Sequence, residues 1–271
     1  NLKHLDLIRM IIDSEKRFLI LSFLNERPHT LRELREKTNS SSQVLIPQLN
    51  KLSEKNLIFR KDREYVITED GRILISSIVN SVENLQTFDE FYEFWTTHDL
   101  SPIPNFLLKR IWELKNSKIL GLPPTNFFQP RREFIENVLN TQKFYGISCV
   151  YHPKYSELCI ELLNKGREIK LILPEGIVAR ISKEYYEVVY EGISSSLLEL
   201  YARHNLKLSC VLTDRYFSIS LFYKNGEYDH SKALVSIDST AIFWGENLLS
   251  YYFRNSIKVT PKMIKKYAKD R

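Results

Sequence analysis

Residues 30–68 read TLRELREKTNSSSQVLIPQLNKLSEKNLIFRKDREYVIT, and the order of elements in this stretch decides the architecture of the first third of the chain. Thr30 and Glu33 stand at the spacing of a reciprocal N-cap, T-x-x-E, so a short helix starts there with Leu31 and Leu34 turned inward. Asn39-Ser40-Ser41-Ser42 is a turn rich in capping groups. It opens a second helix in which Leu45, Leu49 and Leu52 recur at i, i+4 and i+7 and form one buried face. Leu57-Ile58-Phe59-Arg60 and Glu64-Tyr65-Val66-Ile67-Thr68 are short strands joined by Lys61-Asp62-Arg63, a charged hairpin tip. Upstream, Ser14 to Asn25 is a helix with a wide apolar face (Phe18, Leu21, Phe23, Leu24) that Pro28 stops. Downstream, Thr68 caps a long helix reaching Leu85.

Helix, short capped helix, turn, helix, charged hairpin, long helix is the plan of a winged helix-turn-helix. The third helix keeps Ser41, Ser42, Gln43, Ile46, Gln48 and Lys51 off its leucine face, a set of polar or small groups suited to base edges. Pro47 is expected near the start of that helix, where a missing amide costs little. Arg60, Lys61 and Arg63 at the hairpin are placed to hold a phosphate backbone. L-x-K-L-x-E-K-N-L-I (Leu49 to Ile58), followed by Y-x-I-T-E-D-G (Tyr65 to Gly71), resembles the ArsR-like regulators of bacteria and archaea.

Charge distribution agrees with a basic stripe. The net +6 of the chain is modest, but Lys37 to Arg63 holds six cations against Glu54 and Asp62. Residues 86–257 hold 19 Lys/Arg against 20 Asp/Glu, while residues 258–271 hold six against Asp270 alone. With 43% hydrophobic and 27% charged residues the composition is that of a folded protein, neither collagenous nor disordered. No apolar run is long enough to span a bilayer, so no membrane partner is expected. Cys149, Cys159 and Cys210 are odd in number and form no C-x-x-C pair, which points to a reducing cytoplasm and excludes a zinc ribbon. The absence of Walker, Rossmann and G-x-S-x-G patterns leaves no expected cofactor.

The long helix carries Ile75, Ile78, Val82 and Leu85 in steps of three and four, which serve either its own domain's core or a dimer seam. A homodimer would match the two-fold symmetry of operators. Phe88 to Trp95 continues as an amphipathic connector that His98-Asp99-Leu100-Ser101-Pro102-Ile103-Pro104 breaks. The assignment is residues 1–85 for the winged helix, 86–120 for a helical connector, 121–257 for a second domain and 258–271 for a basic tail. Within the second domain, Gly146–Tyr151, Ile169–Leu173, Leu206–Leu212, Tyr216–Tyr223, Ala233–Ile237 and Thr240–Trp244 read as strands. Tyr155–Asn164, Ile177–Glu191, Ser194–His204 and a segment after Gly245 read as helices. The fold class is therefore α+β and α/β, a winged helix plus a mixed sheet covered on both faces. Asn225-Gly226 reads as a type I′ turn.

H-D-L-S-P-I-P (His98 to Pro104), L-K-N-S-K (Leu114 to Lys118), the run Tyr145 to Pro153 and W-G-E-N-L-L-S-Y-Y (Trp244 to Tyr252) occur together and in order. From about Asp13 to about Lys258 the chain resembles archaeal winged-helix regulators whose second half is the methanogenesis regulatory protein middle domain. The resemblance implies a transcriptional regulator with a reader of double-stranded DNA in front and a sensory module behind; it brings no ligand.

One string invites an enzymatic alternative. His230, Lys232 and Asp238, followed by Gly245 and Asn247, are similar to the phospholipase D pattern H-x-K-x4-D, in which His attacks phosphorus. Here five residues, not four, separate Lys232 from Asp238, which on a strand turns the carboxylate to the other face unless a bulge absorbs the extra residue. A phospholipase-D-like fold without its chemistry is the expectation. His152, Lys170, Trp244, Glu246 and Tyr252 are the expected pocket for an unknown small-molecule effector. Lys262, Lys265, Lys266, Lys269 and Arg271 form either a solvated, frayed end or an extra phosphate contact.

Overall fold

The computed structural model describes residues 2–121, 135 and 138–269. The chain divides between Leu85 and Gln86 into two compact units. The first contains α1 (Leu2–Ile12), α2 (Glu15–Glu26), β1 (His29–Thr30), α3 (Leu31–Thr38), α4 (Ser42–Glu54), β2 (Ile58–Lys61), β3 (Glu64–Ile67) and most of α5 (Glu69–Glu90). Its three-stranded sheet has the order β1-β3-β2, so β1, invisible in the sequence pattern, closes the outer edge of the hairpin.

Local chemistry explains each boundary. Thr30 and Glu33 form the expected capping box, and Asn39 ends α3 in the left-handed conformation at φ 47°. Leu45, Leu49 and Leu52 are fully buried and lock α4 against Ile20, Leu21 and Leu24 of α2. The hairpin is tighter than the sequence suggested: Lys61 pairs with Glu64, leaving Asp62-Arg63 alone at the tip with Asp62 at φ 53°. Pro47 sits in the body of α4, so the Gln43 carbonyl loses its i+4 donor, a defect worth up to about 3 kcal/mol in a helix interior. The α5 helix also differs from expectation, running on to Glu90. Ile75 and Ile78 are buried in the first unit's own core, whereas Ile73, Val82 and Leu85 are exposed.

His29 is wholly buried beside Phe23, and neither ring nitrogen has a hydrogen-bond partner among the described residues. Burial, reinforced by Arg27, holds its pKa below the ordinary value; Glu33 and Glu26 oppose this and Lys37 adds to it. The unfolded chain therefore takes up the proton first, and stability is lost as pH falls below about 6.5. The protection factors of the β3 amides, which correct for the intrinsic pH dependence of exchange, should fall between pH 7.5 and 5.5, and His29→Leu should flatten that response. An unchanged pH response in the variant would remove His29 as its source.

The second unit holds α6 (Tyr92–Thr97), α7 (Asn105–Leu108), a 3-10 turn (Ile111–Leu114), β4 (Lys118–Gly121), β5 (Lys143–Ile147), α8 (Pro153–Asn164), β6 (Glu168–Leu173), α9 (Glu175–Glu184) and α10 (Tyr186–Ser194). These are followed by β7 (Leu198–Ala202), β8 (Leu208–Thr213), β9 (Phe217–Leu221), β10 (Lys232–Ser236), α11 (Ser239–Arg254), β11 (Ile257–Lys258) and α12 (Pro261–Lys269). Eight strands form one sheet in the order β11-β7-β6-β5-β8-β9-β10-β4, with β5, β6 and β7 parallel and the remaining pairs antiparallel. Alternation along the strands separates two cores: Ile172, Cys210, Phe217, Ile219 and Leu234 face one side, and Phe144, Ile169, Leu173, Leu200 and Val235 face the other.

Several expected elements change identity. Residues 194–204 are not a helix, because Leu198, Leu200 and Ala202 bury alternately and make β7. Residues 240–244 are not a strand: Asp238 caps α11, and Ala241, Trp244, Leu248 and Tyr252 recur with a helical period. The helix expected over 177–191 is broken at Tyr185 into α9 and α10. The 86–120 segment is no linker, since Phe91, Phe94, Trp95, Ile103, Leu107 and Leu114 are core of the second unit and β4 is a sheet edge. The basic tail is not frayed through its described residues: α12 buries Ile264 completely. At Asn225-Gly226 only Gly226 has positive φ, at 91°, and its amide donates to the Tyr223 carbonyl, so the turn is not type I′.

Candidate functional site

The surface of α4 divides cleanly. With Leu45, Leu49 and Leu52 sealed inside, Gln43, Ile46, Asn50 and Lys51 are exposed and Ser42 is half-buried. Ser41 is the N-cap yet its hydroxyl makes no capping hydrogen bond, so it leaves the first amides of this thirteen-residue helix without a side-chain acceptor. That is the local geometry in which helix amides take a phosphate. Gln48 behaves differently from its neighbours: it is half-buried and its Oε1 accepts from Arg17 Nη1 at 3.0 Å. Asn50 shares the outer face but was missed, because the leucine spacing draws attention to residues flanking the core stripe. At the hairpin, Lys61 and Arg63 are exposed, and Arg60 Nε donates to the Asp62 carbonyl at 3.1 Å with its guanidinium over Tyr65.

In the second unit the five expected pocket residues do not come together. Lys170 lies on the sheet face away from Leu171 and Leu173, 3.1 Å from Glu168 and 3.3 Å from Glu199. Glu199 in turn accepts from Lys258 at 2.8 Å, and this hydrogen bond leads the interactions that hold its carboxyl at about 2. Trp244 is buried core donating to the Leu107 carbonyl, Tyr252 is buried and donates to the Pro102 carbonyl, and Glu246 is exposed. His152 alone of the five borders a cavity, where its Nδ1 accepts the Lys154 amide as the N-cap of α8.

Nor does the phosphodiesterase trio assemble. Lys232 Nζ is 2.6 Å from Glu93, and Asp238 is consumed as the cap of α11 by Thr240 and Asn116. His230 is exposed and sits edge-on to Tyr228. The acid beside it, Asp229, is buried and faces the other way: Oδ2 lies 3.1 Å from His98 Nε2, while Oδ1 accepts from the Ser231 amide and hydroxyl. Among the described residues no cluster of three or more His, Cys, Asp or Glu could hold a metal. No helix among them is long and apolar enough to cross a membrane.

The cavity occupies about 290 Å³ between α8, α9 and α10 and the sheet. Its walls are Leu163, Leu171, Ile177, Ile181 and Val189, and its floor is Ser209, Val211, Ser218 and Ser220 of the central strands β8 and β9. Tyr228 lines the same cavity as Ser209 and Ser220; burial is the main force raising its pKa, so the phenol stays neutral. Burial likewise pushes Cys159 on the α8 side up to about 12, and it raises Cys149 near Ser209. Sequence reasoning missed this floor, although Phe217-Ser218-Ile219-Ser220-Leu221 carries its signal: apolar and serine residues alternate on one strand.

Comparisons with known proteins match two segments of the chain. Residues 127–255 match the model of the methanogenesis regulatory protein FilR1, middle domain. Residues 5–90 match that of the HVO_A0261 N-terminal domain. Methanogenesis regulatory protein FilR1 of Methanothrix harundinacea (strain 6Ac) is 24% identical over an alignment of 259 positions that covers 92% of this chain. The chain spans 57% of that relative's length. Among solved structures, TrmBL2, described as an archaeal chromatin protein with a novel mode of DNA binding, aligns at a TM-score of 0.43 and 13% identity, covering 90% of this chain and 93% of its own. NucT from Helicobacter pylori aligns at 0.39 and 10% identity over 53% of this chain and 98% of its own. Likeness at this level fixes neither fold nor function.

Proposed function

We propose that the chain is an archaeal, cytoplasmic transcriptional regulator that binds double-stranded DNA as a homodimer through an ArsR-like winged helix-turn-helix. The observation that carries the reading is the outer face of α4, where Ser41, Gln43, Asn50 and Lys51 are exposed beside Val44 and Ile46, in the same unit as a hairpin that carries Arg63 at its tip and Lys61 next to it. Sequence similarity to a named methanogenesis regulatory protein over nearly the whole chain supports it. In this reading Ser41, Ser42, Gln43, Ile46, Asn50 and Lys51 enter the major groove. Gln48 orients α4 through Arg17, and Arg60, Lys61 and Arg63 hold phosphates. Exposed Val82 and Leu85 of α5 supply an apolar patch for pairing. An effector bound by the second unit shifts the population of DNA-competent pairs.

Fluorescence anisotropy with labelled genomic fragments tests the reading. Replacing Lys61 and Arg63 with alanine should weaken binding to every fragment roughly tenfold per charge at 0.1 M salt. The salt slope should flatten by about one unit for each phosphate no longer neutralised. Gln43→Ala should instead relax sequence choice by about 1–3 kcal/mol at one base pair and leave the slope alone. Failure of the native protein to retain any fragment at low salt would end the proposal.

A further inference from the structure

Central strands of a sheet covered on both faces normally bury large side chains on each, and native interiors hold few voids bigger than a water molecule. Here the two faces of β8 and β9 are unlike. One carries Leu208, Cys210, Leu212, Phe217, Ile219 and Leu221, all buried in the front core. The other carries Ser209, Val211, Ser218 and Ser220, half-exposed to the cavity in the middle of the sheet. Ser209 and Ser220 are direct cross-strand partners, which brings their hydroxyls side by side, and Tyr228 lines the cavity with them. The opposite wall is aliphatic. Hydroxyls at one end and aliphatic walls around them are the chemistry of a ligand site, and its volume lies near the lower end of the range for small-molecule pockets, roughly 300–1,000 Å³.

Charge narrows the occupant. Among the described lining residues, the lysine, Lys232, is paired with Glu93, and the carboxylate, Asp229, is engaged by His98 and Ser231. His230 is exposed, and the His152 ring is the cap of α8. An ionised group on the floor would be stripped of water with no countercharge to meet it, which is strongly unfavourable. A hydroxyl or carbonyl oxygen, by contrast, finds hydroxyl donors and acceptors.

We propose that this cavity binds an uncharged, mainly apolar small molecule that carries one hydroxyl or carbonyl oxygen, seated with that oxygen on Ser209, Ser220 and Tyr228. The inference rests on the sensory role given to the second unit above, and it names the ligand class and the seat.

The test uses the full chain without DNA. N-phenyl-1-naphthylamine, a neutral fluorescent probe, should bind saturably with one site per chain and a blue-shifted emission. Decanol should displace it at least tenfold more effectively than decanoate at pH 8, where the acid is ionised. Ser218→Phe, which fills the floor, should lose the probe at least tenfold. Ser220→Ala, which keeps the space and removes a hydroxyl, should retain the probe within twofold while weakening decanol at least threefold. Far-UV circular dichroism checks that both variants fold. Absence of saturable probe binding, equal binding by Ser218→Phe if folded, or displacement by decanoate as good as by decanol would overturn the proposal. Should Ser218→Phe not fold, the decanol contrast and Ser220→Ala still decide. The duplex assay with and without decanol separates the two readings. Probe binding with unaltered DNA affinity keeps the site and removes its sensory role, whereas DNA binding without probe binding removes the site alone.

Discussion

Asp229→Ala will destabilise the second unit by about 3–5 kcal/mol, the loss expected when one member of a buried polar pair is deleted. The carboxylate is only 2% exposed, and the groups that converge on it include the Ser231 amide at 2.7 Å, the Ser231 hydroxyl at 2.6 Å, the Lys232 amide at 3.1 Å and His98 Nε2 at 3.1 Å. Alanine leaves all of them facing a void, with the His98 ring still stacked between Phe94 and Tyr223. Because His98 and Asp229 are 131 residues apart, the pair also fastens the segment after α6 to the hairpin before β10. Burial alone would raise the Asp229 pKa, but hydrogen bonds from Ser231, Tyr223 and His98 outweigh it and hold the carboxyl below its ordinary value. The sign follows: the stabilisation is complete above the ordinary carboxylate range and is lost as pH falls through the depressed folded value. Urea unfolding at pH 7 should show the full deficit, and wild type and variant should converge at strongly acidic pH. A deficit under 1 kcal/mol at pH 7 would contradict the account.

The second large effect is expected at Gly71, in the first turn of α5. A Cβ there would lie 2.2 Å from the Leu57 carbonyl oxygen and 2.9 Å from an Ile67 methylene. The carbonyl cannot retreat easily, since it accepts both the Thr68 amide at 2.9 Å and the Thr68 hydroxyl at 3.1 Å. Gly71→Ala should therefore force α5 off the hairpin and destabilise the first unit by about 3 kcal/mol, at the upper end for overpacking. On the proposed function, duplex affinity should fall with it, because Leu57 immediately precedes β2, which leads into the wing. Hydrogen exchange of β2 and β3 amides reads the structural effect; unchanged protection would refute the packing argument.

The same glycine shows what a sequence can disclose. Y-x-I-T-E-D-G was readable as a cap followed by a helix, and the capping box, the three leucines of α4 and the hairpin were readable because each is a local device. What failed to show was set by tertiary partners. LELYA in β7 has a helix-compatible composition, and only parallel pairing with β6 makes its alternation meaningful. TAIFW mimics a strand until Asp238 caps it and Trp244 finds its place against Phe217. The connector looked peripheral because Pro102 and Pro104 break its amphipathic run, and the tail because it is rich in lysine, yet their apolar residues fill the two cores. The pocket was sought at strand ends, whereas the cavity lies over the middle of the sheet, announced by two serines on β9.

The α12 helix has a consequence for how the protein is made. Ile264 and Val259 complete the core that also contains Val178, Val189 and Leu200. During synthesis that core stays open until residue 264 has emerged from the ribosome, while the first unit has every strand and helix it needs once α5 has appeared. The nascent chain thus carries a finished first unit ahead of an unfinished second one, and the interval between the two is the period in which the apolar face of that second core is open to capture by chaperones.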